Sequence, residues 1–345
     1  MDNKKRNGEK KNRRENEMAD RGVIKSMEAS LKSAMELTVF TGACLGAGAL
    51  AGAAGHFYKV ALTPKKHDPR IDNDPMQKEY VAGRRWMKRH PLREDIYIRS
   101  DDALQLHANF IPAQDRNVRW YVLCVHGYGE TSALMGLYAR VYREQYGMNV
   151  LLPDLRGHGL SDGNYVGMGY DDRRDLLRWI DWILERDADA RIILHGISMG
   201  AAAVLMTTGE KIPSQVVAAI SDSSYTSARD IFTAVYKKDK DAVIPAPVML
   251  EALRGIALIR AGYDIAKASP VEAVARSSTP TLFIHGQADR LVPGEMMPAL
   301  FKAAACPKAF LWIPEAGHVM SVCVDPETYW SKVEKFLHAR GMPLS

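Results

Sequence analysis

Between the apolar run Ile192–Leu194 and the small-residue run Ala201–Met206 the chain reads Gly196-Ile197-Ser198-Met199-Gly200. A Gly-x-Ser-x-Gly pentapeptide joining a strand to a helix bends so sharply that its serine takes a strained backbone conformation. Nothing bulkier than hydrogen fits on either side, which accounts for Gly196 and Gly200. The hydroxyl is then held out above a sheet, with the dipole of the following helix behind it. Five residues with three fixed also occur in ordinary tight turns, so the pattern around them has to decide.

From Glu94 onward short apolar runs alternate with helical patterns, the mark of a parallel sheet with crossover helices. Ile96–Arg99 and Leu104–Ile111 read as an opening strand pair, and Trp120–His126 as a buried strand followed by a helix over Ala133–Tyr146. Asn149–Pro153 is the next strand, and Tyr170–Arg186 is an amphipathic helix with Leu176, Leu177, Ile180 and Ile183 on one face. Arg191–Ile197, Val216–Ser221, Thr281–His285 and Ala309–Ile313 bring the strands to eight, and Pro326–Ala339 closes the chain as a helix. Between Ser224 and Pro280, residues 225–278 form an insert of two or three helical segments, which in a sheet of this kind would sit over the serine as a lid or, through Leu250, Leu253 and Ile256, simply pack onto the body.

The net charge of +5 is concentrated at the start, where residues 1–36 hold ten Lys or Arg. The remainder is close to neutral, which argues against nucleic acid as a partner. Cys44, Cys124, Cys306 and Cys323 lack metal-ligand spacing and are too few for a disulfide framework. Cys124 reads as a small core residue, whereas Cys306 and Cys323 are able to pair if the body lies outside the cytoplasm. Leu37 to Gly55 are nineteen uncharged residues, close to the ~20 that a bilayer-crossing helix needs. The domain reading is therefore a disordered charged tail (1–36), a signal-anchor helix (37–58), a polar connector (59–92) with helical character around Met76–His90, and a catalytic body (93–345). A cleaved signal peptide, with Ala49-Leu50-Ala51 as its cleavage site, and a soluble Gly/Ala-rich helix are the alternatives. The basic tail favours a single-pass protein with a cytoplasmic N-terminus and its body outside. Gly42/Gly46 and Gly48/Gly52 give spacings that permit helix association in lipid, and the oligomeric state is open.

A serine hydroxyl is a poor nucleophile at neutral pH and needs a base and an orienting carboxylate. Of the ten histidines, His318 stands in a short loop, Glu315-Ala316-Gly317-His318, just after the last strand. His126, His158, His195 and His285 each precede a glycine, where imidazoles often hold backbone groups. Asp289 follows the strand Thr281–His285 and is the preferred acid, Asp222 at the end of the preceding strand is its rival, and Asp154 fixes a loop. The backbone N–H groups of Met199 and of Tyr128, in His126-Gly127-Tyr128-Gly129, are the expected oxyanion donors.

Taken in order, His126-Gly127, Asp154-Leu155-Arg156-Gly157-His158-Gly159, the Ser198 elbow, His285-Gly286-x-x-Asp289 and Gly317-His318 resemble the α/β-hydrolase superfamily over residues 94–342. Within it the chain looks like the serine-aminopeptidase-like and Bem46-like hydrolases, several of which carry an N-terminal membrane segment. The resemblance implies a mostly parallel eight-stranded sheet with helices on both faces and a small helical lid. It also implies acyl-enzyme chemistry without metal or cofactor. The expected reaction is cleavage of a small-molecule acyl ester, with a serine peptidase or amidase acting on a peptide-like substrate second. An idle membrane-tethered binding protein is a third reading.

Overall fold

The computed structural model describes residues 47–64, 78–239 and 242–343. The expected tail (1–36), residues 37–46 of the expected span, residues 65–77 of the connector and Cys44 lie outside these residues. Eight strands, β1 (Glu94–Arg99), β2 (Gln105–Ile111), β3 (Trp120–Val125), β4 (Asn149–Pro153), β5 (Arg191–Ile197), β6 (Val216–Asp222), β7 (Thr281–Gly286) and β8 (Lys308–Ile313), form one sheet in the order β1-β2-β4-β3-β5-β6-β7-β8. β1 and β2 run antiparallel to their neighbours and the rest are parallel.

Every residue of β3, β4 and β7 is buried, as expected where helices cover both faces of a parallel sheet. The alternation of side chains splits them between two cores: Leu123, Val125, Leu151 and Leu194 face one, and Val122, Cys124, Val150, Leu152 and Ile193 the other. The edge strands β1 and β8 stay partly exposed. The elbow helix, Met199–Thr208, is buried along its whole length, so its alanines and glycine let it lie close beneath the serine. The expected helix after β3 begins later than its apolar pattern, as a 3₁₀ turn (Ser132–Met135) leading into Gly136–Glu144.

The insert after β6 contains the helices Ala228–Tyr236 and Ala246–Ala261, a 3₁₀ turn at Ile265–Lys267 and a short helix, Pro270–Val274. A helix from far away in sequence packs on this insert. The helix Ala47–Ala61 lies against Ala246–Ala261, burying Ala54, Phe57, Tyr58 and Ala61. Their spacing of three, four and seven residues makes one apolar stripe, which is how a helix packs on a protein body. Phe57 meets the edge of Phe232 with ring centroids 5.7 Å apart. Among the described residues no helix is long and apolar enough to cross a membrane.

The connector's helix spans Lys78–Arg89 and buries Tyr80, Val81, Arg84 and Met87. It crosses Gly136–Glu144 at two glycines: a Cβ on Gly83 would lie 2.3 Å from Leu137 N, and one on Gly136 would lie 2.2 Å from Gly83 O. Only glycine at both positions allows the crossing. Cys124, Cys306 and Cys323 are free thiols, so the Cys306–Cys323 pairing is not formed.

Candidate active site

Strands β3, β5, β6, β7 and β8 end on the same edge of the sheet, with Val125 beside Gly196, Ile197 beside Asp222, and Gly286 beside Ile313. β3 lies where the strand order reverses, with β4 on one side and β5 on the other. Open α/β sheets bind ligands at this switch point, outside the carboxyl ends of the strands.

Ser198 leaves β5 at φ 52° and ψ −120°, a region that non-glycine residues rarely enter. Two close approaches enforce it. A Cβ on Gly196 would sit 2.3 Å from Gly200 O, and one on Gly200 would sit 2.3 Å from Val125 O. The Ser198 N–H is anchored on Asp222 O at 2.8 Å, and the serine stays half-buried beside Gly127.

His318 Nε2 lies 2.8 Å from Ser198 Oγ, and His318 Nδ1 lies 2.8 Å from Asp289 Oδ2. Burial alone raises the Asp289 pKa; the charge of His318 and the hydrogen bonds from His285 and His318 outweigh it and hold the carboxyl well below the usual carboxylate range. An ionised Asp289 only accepts, so the proton of His318 sits on Nδ1 and Nε2 is left to accept the serine proton. The other carboxylate oxygen accepts the N–H groups of Leu291 and Val292 at 2.9 Å each. His285 Nε2 points between Asp289 Oδ2, at 3.3 Å, and Val292 O, at 3.2 Å.

Asp222 stands elsewhere in the network. Its carboxylate accepts from Ser223 Oγ at 3.0 Å and Tyr329 Oη at 3.1 Å, and burial pushes it up to about 6. Asp154 accepts from Ser132 N and Leu160 N and bonds His107 Nδ1 at 2.7 Å, which fastens the loop after β4.

The loop after β3 is held by imidazoles. His126 Nδ1 meets Gly127 O at 2.8 Å while its Nε2 accepts from Leu155 N at 3.0 Å, and burial pulls its pKa down to about 3, so it stays neutral. His158 Nε2 accepts the N–H of Gly129 at 3.2 Å, which commits that donor. Tyr128 is fixed from outside the loop, its hydroxyl donating to Val60 O at 3.1 Å in the helix Ala47–Ala61. Met199 is buried at the first turn of the elbow helix. Sequence reading passed over the contributions of Val60, Tyr80 and Arg84, because they fall in segments read as an anchor and a connector. The one visible signal was the apolar stripe through Phe57.

With a doubly wound sheet and this serine at its switch point, the relationship to known proteins is direct. Residues 122–330, more than half of the chain, match the Alpha/beta hydrolase family, and the chain belongs to it. It is 28% identical to the Bacillus subtilis protein YqkD over 55% of this chain and 62% of that one, so it spans less than two thirds of that relative. It is 26% identical to the Arabidopsis thaliana alpha/beta hydrolase domain-containing protein WAV2, covering 71% of this chain and 79% of that one. Among solved structures, the Pyrococcus furiosus esterase Pf2001 shares the fold with a TM-score of 0.57 at 23% identity, over 72% of this chain and 92% of that one. Acetyl xylan esterase 1 from Thermoanaerobacterium does so at 0.56 and 14% identity, over 86% and 99%.

Proposed function

We propose that this hydrolase is a serine carboxylesterase in which Ser198 is the nucleophile, His318 the general base and Asp289 the residue that orients and charges the base. The observation that carries the reading is the unbroken line of hydrogen bonds from Asp289 through His318 to Ser198, each 2.8 Å long. As Ser198 Oγ forms its bond to the substrate carbonyl carbon, its proton passes to His318 Nε2. The carbonyl oxygen becomes an oxyanion held by the N–H groups of Tyr128 and Met199, and losing one such donor costs about 10²–10³ in turnover. Collapse breaks the bond to the alkoxide, which leaves with the proton from His318. Water, deprotonated by His318, then releases the acid and restores the serine.

The insert after β6 and the helix Ala47–Ala61 are read as a roof over the serine, and the buried side chains of Phe57, Phe232 and Tyr236 in them suit an apolar acyl group. The esterase names among the structural neighbours favour an ester over an amide. A peptidase is the second reading, favoured by the likeness to the Pyrococcus horikoshii acylaminoacyl peptidase at a TM-score of 0.53. Attachment to a membrane through the uncharged run 37–55, with the body outside the cytoplasm, belongs to the same proposal.

Matched substrates decide between the two readings. With one acyl group presented as a p-nitrophenyl ester and as a p-nitroanilide, the esterase reading predicts that the ester-to-anilide ratio of kcat/KM stays high along an acyl-length series. Anilide turnover equal to or above ester turnover makes the protein an amidase.

A further inference from the structure

Of the six non-glycine residues with positive φ among the described residues, Ser198, Ser223, Glu315 and Val319 border the site. Val319 is the most unusual. It is β-branched, it sits at φ 54°, and it directly follows His318. Valine avoids this region because its Cβ substituents crowd the backbone. Such a conformation persists only where the surroundings over-determine it.

Both polar groups of Val319 are gripped. Its N–H donates to Ser223 Oγ at 3.4 Å, and Ser223 Oγ in turn donates to Asp222 Oδ1 at 3.0 Å. Its carbonyl accepts a 2.6 Å hydrogen bond from Tyr80 Oη, a residue 239 positions earlier in the chain. Tyr80 has a single hydroxyl hydrogen, so the 3.0 Å contact between Tyr80 Oη and Tyr138 Oη has Tyr138 donating. Burial keeps the Tyr80 phenol well above its ordinary pKa, so it remains a donor at any working pH.

The helix that carries Tyr80 is itself pinned. The Gly83–Gly136 crossing sets its height, and one turn on from Tyr80 the Arg84 guanidinium pairs with Glu130 Oε2 at 2.7 Å, just past the Tyr128 loop. One helix ahead of β1 thus touches both loops that flank Ser198.

We infer that Tyr80 is a positioning residue for the reaction at Ser198: by holding the Val319 carbonyl it fixes a disfavoured backbone conformation and so keeps His318 aimed at the serine. The inference rests on the reading of His318 as the base. Without the hydroxyl, Val319 relaxes towards negative φ and the imidazole spends less time in line. The loss falls on the chemical step rather than on substrate binding.

The test is a double-mutant cycle on the full-length protein with a p-nitrophenyl ester. Tyr80→Phe removes one oxygen and is expected to lower kcat about tenfold, the effect of orphaning one buried carbonyl, with KM nearly unchanged. Glycine adopts positive φ about as readily as negative φ. In a Val319→Gly background the same Tyr80→Phe change is therefore expected to lower kcat less than threefold, about half of the tenfold loss on a logarithmic scale. An unchanged kcat in Tyr80→Phe, or an equal fold-loss in both backgrounds, overturns the inference. Ser223→Ala, which releases the N–H side of the same residue, supplies the same pair of ratios if Tyr80→Phe does not fold. Ser198→Ala run alongside separates the two levels: full turnover there refutes the parent reading, whereas its loss with a normal Tyr80→Phe refutes only the role of Tyr80.

Discussion

Ser198 at φ 52° and ψ −120° stores strain of about 1–3 kcal/mol, held by the contacts that forbid side chains at positions 196 and 200. The two acids nearby separate by environment. Asp289 is kept ionised by His318 and His285, whereas Asp222 is pushed up to about 6 by burial. Asp289→Asn should lower ester turnover about 10⁴-fold, because the imidazole loses the partner that fixes its tautomer. Asp222→Asn, whose oxygens serve Ser223 and Tyr329, should stay within about tenfold of wild type by comparison; the reverse ranking would move the acid to β6. Asp222 also predicts a pH dependence. Its folded-state pKa lies above the unfolded value, so its contribution to stability is fully present below about pH 4 and is lost as pH rises through about 6. The melting-temperature advantage of wild type over Asp222→Asn should therefore shrink between pH 4 and pH 7, and an advantage that grows over that interval would contradict the assignment. Ser198, Asp289 and His318, which the structure brings into one hydrogen-bonded line, were visible in the sequence because each falls in a short local motif. The grip of Tyr80 on Val319 was not, since a hydroxyl that reaches across 239 positions leaves no spacing to read.

Among the elements, the eight strands and the elbow helix were legible because buried parallel strands are continuous apolar runs. The start of the helix after β3 was not, because Ser132–Met135 is apolar enough to continue the pattern and yet closes as a 3₁₀ turn. The helix Lys78–Arg89 was visible as a helix but read as a connector, since its polar composition hides the two-glycine crossing that docks it. That crossing gives a sharp contrast. Gly83→Ala places a methyl 2.3 Å from Leu137 N, whereas Gly52→Ala, in the helix Ala47–Ala61, meets nothing within 4 Å. Gly83→Ala should destabilise by about 1–3 kcal/mol through overpacking and should lower ester turnover with it. Gly52→Ala should be neutral or stabilise by about 0.5–1 kcal/mol, because alanine is the better helix residue. Thermal unfolding of the two variants checks both signs, and equal effects would mean that the crossing is not tight.

For the whole molecule, the proposed roof over the serine is made of two distant pieces, the insert after β6 and the helix Ala47–Ala61, joined through Phe57 on Phe232. The second piece was read as part of a membrane span because the nineteen uncharged residues Leu37 to Gly55 outweighed the short apolar stripe through Phe57. Phe57→Ala should cost about 3–5 kcal/mol of stability, as large-to-small core changes do. It should also weaken discrimination between short and long acyl esters, because it loosens the roof; unchanged stability and selectivity would detach this helix from the fold. All of these effects presuppose that Ser198 is the nucleophile, and trapping it is the direct test. Wild-type protein treated with a fluorophosphonate, checked as folded and mapped by peptide mass, should carry one adduct on Ser198, and Ser198→Ala should carry none. Folded wild type that takes up no probe, or a Ser198→Ala variant labelled at the same rate, would contradict the account.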